Sequence, residues 1–366
     1  MEKKIRVAIV GTGRIAETAH IPAYLSNKYA EIVAIVDTDN KQLTRTAKKF
    51  KVKKTFSSVD DLLDNEKIDA ISICTPPNTH SEIALKGLQH DANILCEKPL
   101  ATDVDSGKRM VTASKSKGKI LMVGYHRRFL PNYQKAKKYV LGGSLGHVYC
   151  VEDHFLEPNP LLNYSKSQWF FKPNIGGVLL DIAPHVFDML NYILDDFPVA
   201  ISARSFTYLD QPVEDCCVFV VEYPGGRVGI GTTSWLSPTV IENLNVYGTA
   251  QNLFVSPDFF LRVNPTEIRQ IALLRAAGES LVSMKFPHLP IVSTKTVNPY
   301  QLEIDYFIDC IRRKIISPES ALNGLSVLMA SDAAKTSIEK NRRIEIPHPE
   351  RLIEHPAKAG NKKEKE

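Results

Sequence analysis

In the first third of the chain, short continuous runs of hydrophobic residues alternate with stretches of helical periodicity. The continuous runs lie at residues 5–10, 31–37, 69–77, 93–99 and 119–125, and the main helical stretches lie at 39–50, 58–65, 79–91 and 103–118. Continuous apolar strands separated by helices indicate a parallel sheet that helices cover on both faces. With right-handed crossovers, these elements predict a doubly wound Rossmann domain.

The pattern changes after about residue 124, where longer strands of alternating polar and apolar residues become frequent. These strands lie at 147–157, 199–210, 214–236 and 241–249, and further helical patterns lie at 130–143, 178–194, 299–314 and 320–340. Residues 214–236 read as a hairpin whose turn is Pro224-Gly225-Gly226. Such strands predict an α+β region with a large open, mostly antiparallel sheet, packed by one face on the helix near 178–194.

Length and composition fit this division into two folding units. The 366 residues exceed what one hydrophobic core usually serves, and 43% hydrophobic with 24% charged residues is typical of a globular protein. We therefore predict a Rossmann domain over residues 1–124 and an α/β domain over residues 125–346. The charged residues 347–366 are expected to form a disordered tail.

Charge and cysteine content argue against several classes of protein. The 46 basic and 41 acidic residues leave a net charge of +5, a scattered excess that does not predict nucleic-acid binding. No apolar run approaches the roughly 20 residues that span a bilayer, and no signal peptide is recognisable, so we expect a cytoplasmic protein without a membrane partner. The six cysteines show neither C-x-x-C nor zinc spacing, which predicts reduced thiols and no metal site.

The segment "GTGRIA" follows the first predicted strand and begins a helical stretch. Gly11 permits a tight turn, Gly13 lets the backbone approach a pyrophosphate, and the small Ala16 lets helix and strand pack closely. Phosphates would lie at the helix N-terminus, where free N–H groups and the helix dipole favour negative charge. The residues expected to hold a dinucleotide here are Gly11, Thr12, Gly13, Arg14 and Ile15.

Asp37 ends the second predicted strand, 24 residues after Gly13. A carboxylate at this place accepts hydrogen bonds from the two hydroxyls of an adenosine ribose and repels a 2′-phosphate. The next residues, Thr38 and Asp39, supply no cation for such a phosphate, although Arg14 is near enough in sequence to reach it. NAD is therefore favoured over NADP.

Two further segments end parallel strands, where open α/β sheets bind their ligands. In "SICTPPNTH" we expect Thr75, Pro76, Asn78 and His80 to line the ribose and nicotinamide, although His80 alone equally fits a helix cap. In "CEKPL", Glu97 and Lys98 would adjoin the nicotinamide. A partly desolvated lysine beside an oxidised nicotinamide should have a lowered pKa and could bind a substrate hydroxyl.

The segment "GGVLLDIAPHVFDML" places an acid and a histidine four residues apart, Asp181 and His185. Residues i and i+4 share one face of a helix, and histidine is the usual acid or base near neutral pH. A carboxylate beside the imidazole can hold it and raise its pKa, or bind substrate directly. Pro184 has no N–H to donate to Leu180, so the helix should kink or begin afresh there. Alone, such a pair is more often a core histidine hydrogen-bonded to a local acid than a catalytic site.

Together with the motifs upstream, the pair formed by Asp181 and His185 is better explained by a catalytic role than by a purely structural one. G-x-G-x-x-A at residue 11, E-K-P at residue 97 and G-G-x-L-L-D-I-x-x-H near residue 180 resemble the glucose–fructose oxidoreductase/inositol dehydrogenase family (Gfo/Idh/MocA). The resemblance runs from about residue 4 to residue 346. It implies an N-terminal NAD(P)-binding Rossmann domain, a C-terminal open-sheet domain for substrate binding and oligomerisation, and oxidation or reduction of sugar or cyclitol hydroxyls.

The resemblance also implies roles for single residues. The family's E-K-P lysine falls on Lys98, its D-x-x-x-H pair falls on Asp181 and His185, and its proline is often cis, which implies a cis bond before Pro99. His185 would remove the hydroxyl proton as hydride leaves for NAD, Lys98 would bind the same oxygen, and Asp181 would orient the sugar or His185. Whether Lys98 or His185 is the formal base stays open.

Two alternatives keep the same fold. A cofactor-dependent sensor would bind NAD(P) without turnover, and an NAD-dependent glycosidase would use a transient oxidation to release an aglycone. Arg127, Tyr164 and Trp169 are candidates for substrate contacts, since an aromatic ring suits the C–H face of a sugar. Because no predicted helix covers one face of the second sheet, we also expect a homodimer or homotetramer formed through it.

Overall fold

The structure is a computed structural model that describes residues 3–160, 168–173, 175–258, 260–263, 297–315 and 318–354. The first sheet contains β1 (Ile5–Val10), β2 (Ala30–Val36), β3 (Thr55–Phe56), β4 (Ala70–Ile73), β5 (Asn93–Glu97) and β6 (Leu121–Gly124). All its strands pair in parallel, in the order β3-β2-β1-β4-β5-β6. The order reverses between β1 and β4, which opens a ligand crevice at their carboxyl ends. The predicted Rossmann fold is confirmed.

Helices from the first part of the chain cover this sheet. They are α1 (Ile21–Ser26), α2 (Asn40–Phe50), α3 (Val59–Asn65), α4 (His80–Gln89) and α5 (Val104–Lys117). The side chains of Asp39, Ser58 and Asp103 accept hydrogen bonds from the first-turn N–H groups of α2, α3 and α5. A π-helical turn, Ala16–His20, joins the glycine-rich segment to α1.

The second sheet is mixed and mostly antiparallel, as predicted. Its strands are β7 (Val148–Pro158), β8 (Ala200–Phe206), β9 (Cys216–Tyr223), β10 (Arg227–Ser234), β11 (Leu236–Gly248), β12 (Asn252–Val255), β13 (Phe260–Val263) and β14 (Ile344–Glu345). They lie in the order β13-β12-β11-β7-β10-β9-β8-β14, and only β7 and β10 run parallel among these described strands. The predicted hairpin turn, Pro224–Gly226, connects β9 to β10.

The remaining helices tie the two sheets together. They are α6 (Pro131–Leu141), α7 (Val178–Asp181), α8 (Ala183–Leu194), α9 (Pro299–Arg313), α10 (Pro318–Lys340) and α11 (Pro349–Glu354). Helix α8 packs on β7 and β10, while α10 contacts α5, β6, α8 and β8. Helix α9 instead belongs to the core of the first sheet, where Ile304 and Phe307 join Val7 and Ile9 in one buried cluster.

The helical stretch expected over 178–194 consists of two helices, α7 and α8, and the second begins beside Pro184, where the sequence predicts a kink or a new start. Two other features differ from the pattern-based expectations. Strands β12, β13 and β14 are short and were missed, since two to four residues carry too little alternation. The expected disordered tail begins with a helix, α11, whose Leu352 and Ile353 pack on the core. Residues 355–366 lie outside the described residues.

None of the described helices combines the length and hydropathy that crossing a membrane requires.

Candidate functional site

The glycine-rich segment forms the turn that the sequence predicts. Gly11 has φ = +88°, and a Cβ on it would lie 2.7 Å from the carbonyl carbon and oxygen of Cys74. Around Gly13, by contrast, no atom of the described chain lies within 4 Å of an added Cβ. The helix begins directly afterwards with the exposed Arg14 and the half-buried Ile15. A phosphate-sized group therefore has room beside the backbone at the helix N-terminus.

The carboxylate of Asp37 lies beside this turn. Its Oδ2 accepts hydrogen bonds from the backbone nitrogen and the hydroxyl of the buried Thr12, both at 2.7 Å. Its Oδ1 accepts from the backbone nitrogen of Asp39 at 2.9 Å. Because a carboxylate has about four acceptor positions, the side chain is held in place and still has capacity for a hydroxyl.

The segment after β4 contributes one buried and three accessible residues. Pro76 and Asn78 are exposed and Thr75 is half-buried, so all three can border the crevice. His80 is fully buried, and its Nδ1 and Nε2 meet the carbonyl oxygens of Pro99 and Thr75 at 2.9 and 2.8 Å. Both ring nitrogens are thus engaged, and the side chain braces the two strand-end loops from behind instead of facing the crevice.

Lys98 and Asp181 form an ion pair across the crevice. The Lys98 Nζ donates to the Oδ1 and to the backbone carbonyl of Asp181, both at 2.7 Å, and the Trp235 Nε1 donates to Asp181 Oδ2 at 3.3 Å. Burial alone would lower the pKa of Lys98, but the Asp181 carboxylate outweighs it and raises that pKa. This is opposite to the expected direction. The Lys98–Pro99 peptide bond is cis, which confirms the sequence expectation.

His185 lies in the first turn of α8 and is almost fully buried. Its Nδ1 has no hydrogen-bond partner among the described residues, since the nearby Asp181 is turned towards Lys98. Burial, followed by the charges of Lys98, His126 and Arg127, lowers the pKa of His185 well below its ordinary value. Of the two roles considered for Asp181, holding the imidazole and raising its pKa is therefore not the one that this arrangement shows. The arrangement yields a neutral imidazole beside an ammonium group.

An aromatic wall surrounds this imidazole and was missed by the sequence reasoning. The rings of His126 and Phe155 pack edge-on against His185, with centroids 5.2 and 5.4 Å away, and Tyr300 stacks on His126 at 4.3 Å. Burial lowers the pKa of His126 to about 4. The position of His126 just after β6, at the carboxyl end of a parallel strand, was the signal that could have found it.

Arg127, expected to contact substrate, is instead buried in an ion-pair network. Its guanidinium binds both carboxylate oxygens of Asp153 at 2.8 and 2.9 Å, and its Nε binds Glu242 at 2.9 Å. A further contact of 3.4 Å reaches the carbonyl oxygen of His185. Only 1% of the surface of Arg127 is exposed, so its guanidinium is not accessible from the crevice. Its contact with the backbone of His185 instead places it to hold the start of α8. Tyr164 and the side chain of Trp169 lie outside the described residues.

Glu157 near the end of β7 is a second residue that the sequence reasoning missed. Burial and the negative charge of Asp181 raise the pKa of Glu157 to about 7, despite the opposing charges of Lys98 and Arg14. A carboxyl group that is half protonated near neutral pH thus adjoins the Lys98–Asp181 pair. Its neighbours lie on three different segments of the chain, so no local motif marks it.

Comparisons with known proteins agree with this geometry. A model described as an oxidoreductase family with an NAD-binding Rossmann fold matches residues 5–125, and a model of the GFO/IDH/MocA C-terminal domain matches residues 133–253. Myo-inositol 2-dehydrogenase of Thermotoga maritima is 26% identical over 351 residues, which cover 93% of this chain and 98% of that protein. Inositol 2-dehydrogenase of Rhizobium meliloti is 28% identical over 349 residues, with 93% and 99% covered.

A solved structure is similar over nearly the whole chain. Levoglucosan dehydrogenase in complex with NADH and levoglucosan has a TM-score of 0.81 at 22% identity, covering 94% of this chain and 100% of that one. At this identity the likeness concerns the fold. Since family models match both parts of the chain, the protein belongs to the GFO/IDH/MocA oxidoreductase family, whose N-terminal Rossmann fold binds NAD.

Proposed function

We propose that this protein is an NAD-dependent dehydrogenase that acts on a secondary hydroxyl group of a sugar, a cyclitol or a sugar derivative. The observation that carries the proposal is the pairing of Lys98 with Asp181 next to His185, whose Nδ1 has no hydrogen-bond partner in the described part of the chain. The related proteins named for inositol support the substrate class.

The residues of the first domain fit NAD. Open space at Gly13, the helix that follows it and the carboxylate of Asp37 match a diphosphate and a ribose with free hydroxyls. Thr75, Pro76 and Asn78 would border the nicotinamide half, and His80 would hold their loop. When bound, the oxidised cofactor would accept the hydride from the substrate carbon.

The protein's own residues would handle the hydroxyl proton. Burial and the adjacent cations favour the neutral imidazole of His185, which has a ring-nitrogen lone pair that can accept this proton. The Lys98 ammonium, held by Asp181, can donate a hydrogen bond to the same oxygen and stabilise the charge that develops on it. Glu157 and His126 complete the polar rim of the site.

Turnover of a panel of cyclitols, sugars and sugar derivatives with NAD tests the proposal. We expect NADH to form with at least one polyol and the rate to fall by about 100-fold or more in Lys98→Ala and His185→Ala. His90→Ala, at an exposed histidine at the end of α4, serves as the control and should keep the wild-type rate. Wild-type rates in both site variants would overturn the assignment.

The same assay separates the two alternatives. Release of an aglycone without net NADH would identify a glycosidase, and cofactor binding without any turnover would identify a sensor. The Lys98–Asp181 pair beside His185 favours the dehydrogenase, since a sensor has no need of a proton-transfer set.

We further propose that residues 1–124 form the cofactor domain and residues 125–346 the domain for substrate and oligomer contacts, with α9 packed on the former. The outer face of the second sheet carries Val218 and Val220, which are 39% and 42% exposed, beside the half-buried Ile230. An apolar strip of this kind supports a homodimer or homotetramer in which two such faces meet.

A further inference from the structure

A buried polar cluster lies beneath the E-K-P loop, between the first sheet and α9. His20 is completely buried, and its Nδ1 and Nε2 lie 2.8 Å from Ser72 Oγ and Glu97 Oε1 respectively. Glu303 of α9 is also completely buried, and neither of its carboxylate oxygens has a hydrogen-bond partner in the described part of the chain. His20, Ser72 and Glu303 are completely buried and take no direct part in the reaction described above, whereas Glu97, expected beside the nicotinamide, turns its carboxylate towards His20.

The contacts of His20 indicate that it pairs with Glu97 as an ion pair. Burial alone would lower the pKa of His20, but the side chains of Cys74 and Glu97 outweigh it and raise that pKa well above its ordinary value. Burial alone would raise the pKa of Glu97, but the His20 imidazole outweighs it and lowers that pKa. An imidazolium has two N–H donors, which match the Ser72 oxygen on one side and the Glu97 carboxylate on the other.

The surroundings of Glu303 favour its neutral form. Burial, reinforced by the negative charge of Glu97, raises the pKa of Glu303 well above its ordinary value. Burying a carboxylate that has no cationic partner costs free energy, so the neutral carboxyl group is the favoured form at this position.

The Glu97 carboxylate connects this cluster to Lys98. Its Oε2 accepts a hydrogen bond from the backbone nitrogen of Lys98 at 3.3 Å, while its Oε1 is held by His20. A Cβ on Gly124 of the adjacent strand would lie 3.2 Å from Glu97 Oε1, so the carboxylate fits closely against β6. Movement of Glu97 would thus move the backbone from which Lys98 reaches Asp181.

We propose that His20 is a positioning residue for Lys98, acting through the carboxylate of Glu97. The proposal rests on the proposed role of Lys98 in the reaction. His20 neither contacts substrate nor cofactor; it holds Glu97 at the angle that directs the Lys98 side chain towards Asp181. The Glu97 charge also favours the ammonium form of Lys98, because it lies on the adjacent residue.

Several titratable or charged groups face the cluster, and two of them provide control substitutions for the experiment. They are Tyr24, Cys74, Lys98, His126 and Glu303. The hydroxyl of Tyr24 is buried beside Ser72 and does not contact Glu97, so Tyr24→Phe changes the polarity of the cluster without touching the Glu97 carboxylate. Glu303→Gln replaces a neutral carboxyl group by a neutral amide of the same shape.

Steady-state kinetics with NAD and the best polyol, NADH binding and hydrogen exchange test the proposal. We expect His20→Leu to lower kcat by about 100-fold, with the Kd of NADH changed by less than about twofold. His20→Gln, whose amide can still bind Ser72 and Glu97, should have a kcat about tenfold higher than that of His20→Leu.

Glu97→Gln should move the alkaline limb of the kcat profile to lower pH by about one unit, since Lys98 loses an anionic neighbour. Tyr24→Phe and Glu303→Gln should match the wild type.

Each outcome bears on one claim. An unchanged kcat in His20→Leu, with only thermal stability reduced, would overturn positioning and leave a structural role. A shift in the pH profile of Glu303→Gln would overturn the assignment of a neutral Glu303. If the wild type turns over no polyol, the proposed function fails, and deuterium exchange of residues 96–101 still decides positioning. Faster exchange in His20→Leu but not in Tyr24→Phe supports it, and equal exchange contradicts it.

Discussion

At the scale of single residues, the pKa values in the candidate site depend on which side chain the Asp181 carboxylate binds. Its carboxylate binds the Lys98 ammonium at 2.7 Å and leaves the imidazole of His185 without a partner on Nδ1 among the described residues. The pKa of Lys98 is thereby raised and that of His185 lowered, which fits the hydrogen-bond donor and the proton acceptor of the proposed reaction. Two environments that push the pKa values of neighbouring groups apart are typical of acid–base sites.

The raised pKa of Glu157 predicts how the stability of the protein depends on pH. Its pKa rises from 4.5 to about 7 on folding, so the folded protein holds a proton that the unfolded chain has lost between these values. The contribution of Glu157 to stability must therefore fall as pH increases from about 4.5 through 7. Glu157→Gln removes this dependence, and its gain over the wild type should be about 1–2 kcal/mol larger at pH 8 than at pH 5.

Urea unfolding at the two pH values measures this difference. Glu31→Gln, which removes a carboxylate from an exposed position of β2, is the control and should follow the wild type at both pH values. A constant difference between Glu157→Gln and the wild type across this range would contradict the raised pKa.

At the scale of elements, the break between α7 and α8 presents Asp181 and His185 separately. Helix α7 ends at Asp181 and α8 begins at Ala183, with Pro184 in its first turn. The entry to α7 is equally constrained, because Gly177 has φ = +92° and lies against the Glu214 carboxylate. Glu214 in turn accepts a hydrogen bond from the backbone nitrogen of Leu179 at 3.1 Å. The direction of both candidate catalytic side chains thus depends on how this short segment is anchored.

Gly177→Ala tests this anchoring. The Cβ of the alanine would overlap the Glu214 carboxylate. The alanine backbone would also have to keep a positive φ, which L-residues avoid. We expect the free energy of unfolding to fall by about 2–3 kcal/mol and kcat to fall by about tenfold, as α7 shifts Asp181.

Gly143→Ala is the matched control, since Gly143 has φ = +70° but open space around an added Cβ in the described chain. Its cost should be about 1 kcal/mol, with kcat unchanged. Equal effects of the two substitutions on kcat would contradict the role assigned to the contact with Glu214. Urea unfolding and steady-state kinetics supply both measurements.

At the scale of the whole molecule, the last helices join the two sheets. Leu325 and Leu328 of α10 lie in the same buried cluster as Val123 of the first sheet and Ile201 of the second. A Cβ on Gly107 would lie 2.7 Å from the Leu328 side chain, which shows how closely α10 approaches α5. Lys98 follows β5 of the first sheet and Asp181 ends α7, so this packing helps to hold the two partners of the ion pair together.

The proposed association through the second sheet is tested at the same scale. Val220→Glu puts a charge in the middle of the exposed apolar strip and should convert the oligomer to monomer in sedimentation velocity runs. Leu141→Glu, at an apolar residue of α6 that is 60% exposed, is the control and should leave the oligomer intact. A monomeric wild type, or equal dissociation in both variants, would refute this interface.

Much of the fold follows from local signals in the chain. Continuous apolar runs separated by amphipathic helices are visible without any contact information, and they correctly predict the parallel sheet of β1 to β6. The alternation of Cys216–Tyr223 and the turn Pro224–Gly226 likewise predict a hairpin. Gly11, Lys98, Asp181 and His185 stand in motifs specific enough to indicate the family, because backbone geometry and chemistry restrict which residues can occupy them.

The tertiary structure alone decided how these residues are paired. Sequence spacing places Asp181 four residues before His185, yet the carboxylate binds Lys98, 83 residues earlier in the chain. Arg127 is turned into the core by Asp153 and Glu242, and the surroundings of Glu157 and His20 come from segments far apart in sequence. Periodicity reports which face of an element is buried, whereas charge partners and pKa values depend on what packs against that face, and distant segments meet only in the folded chain.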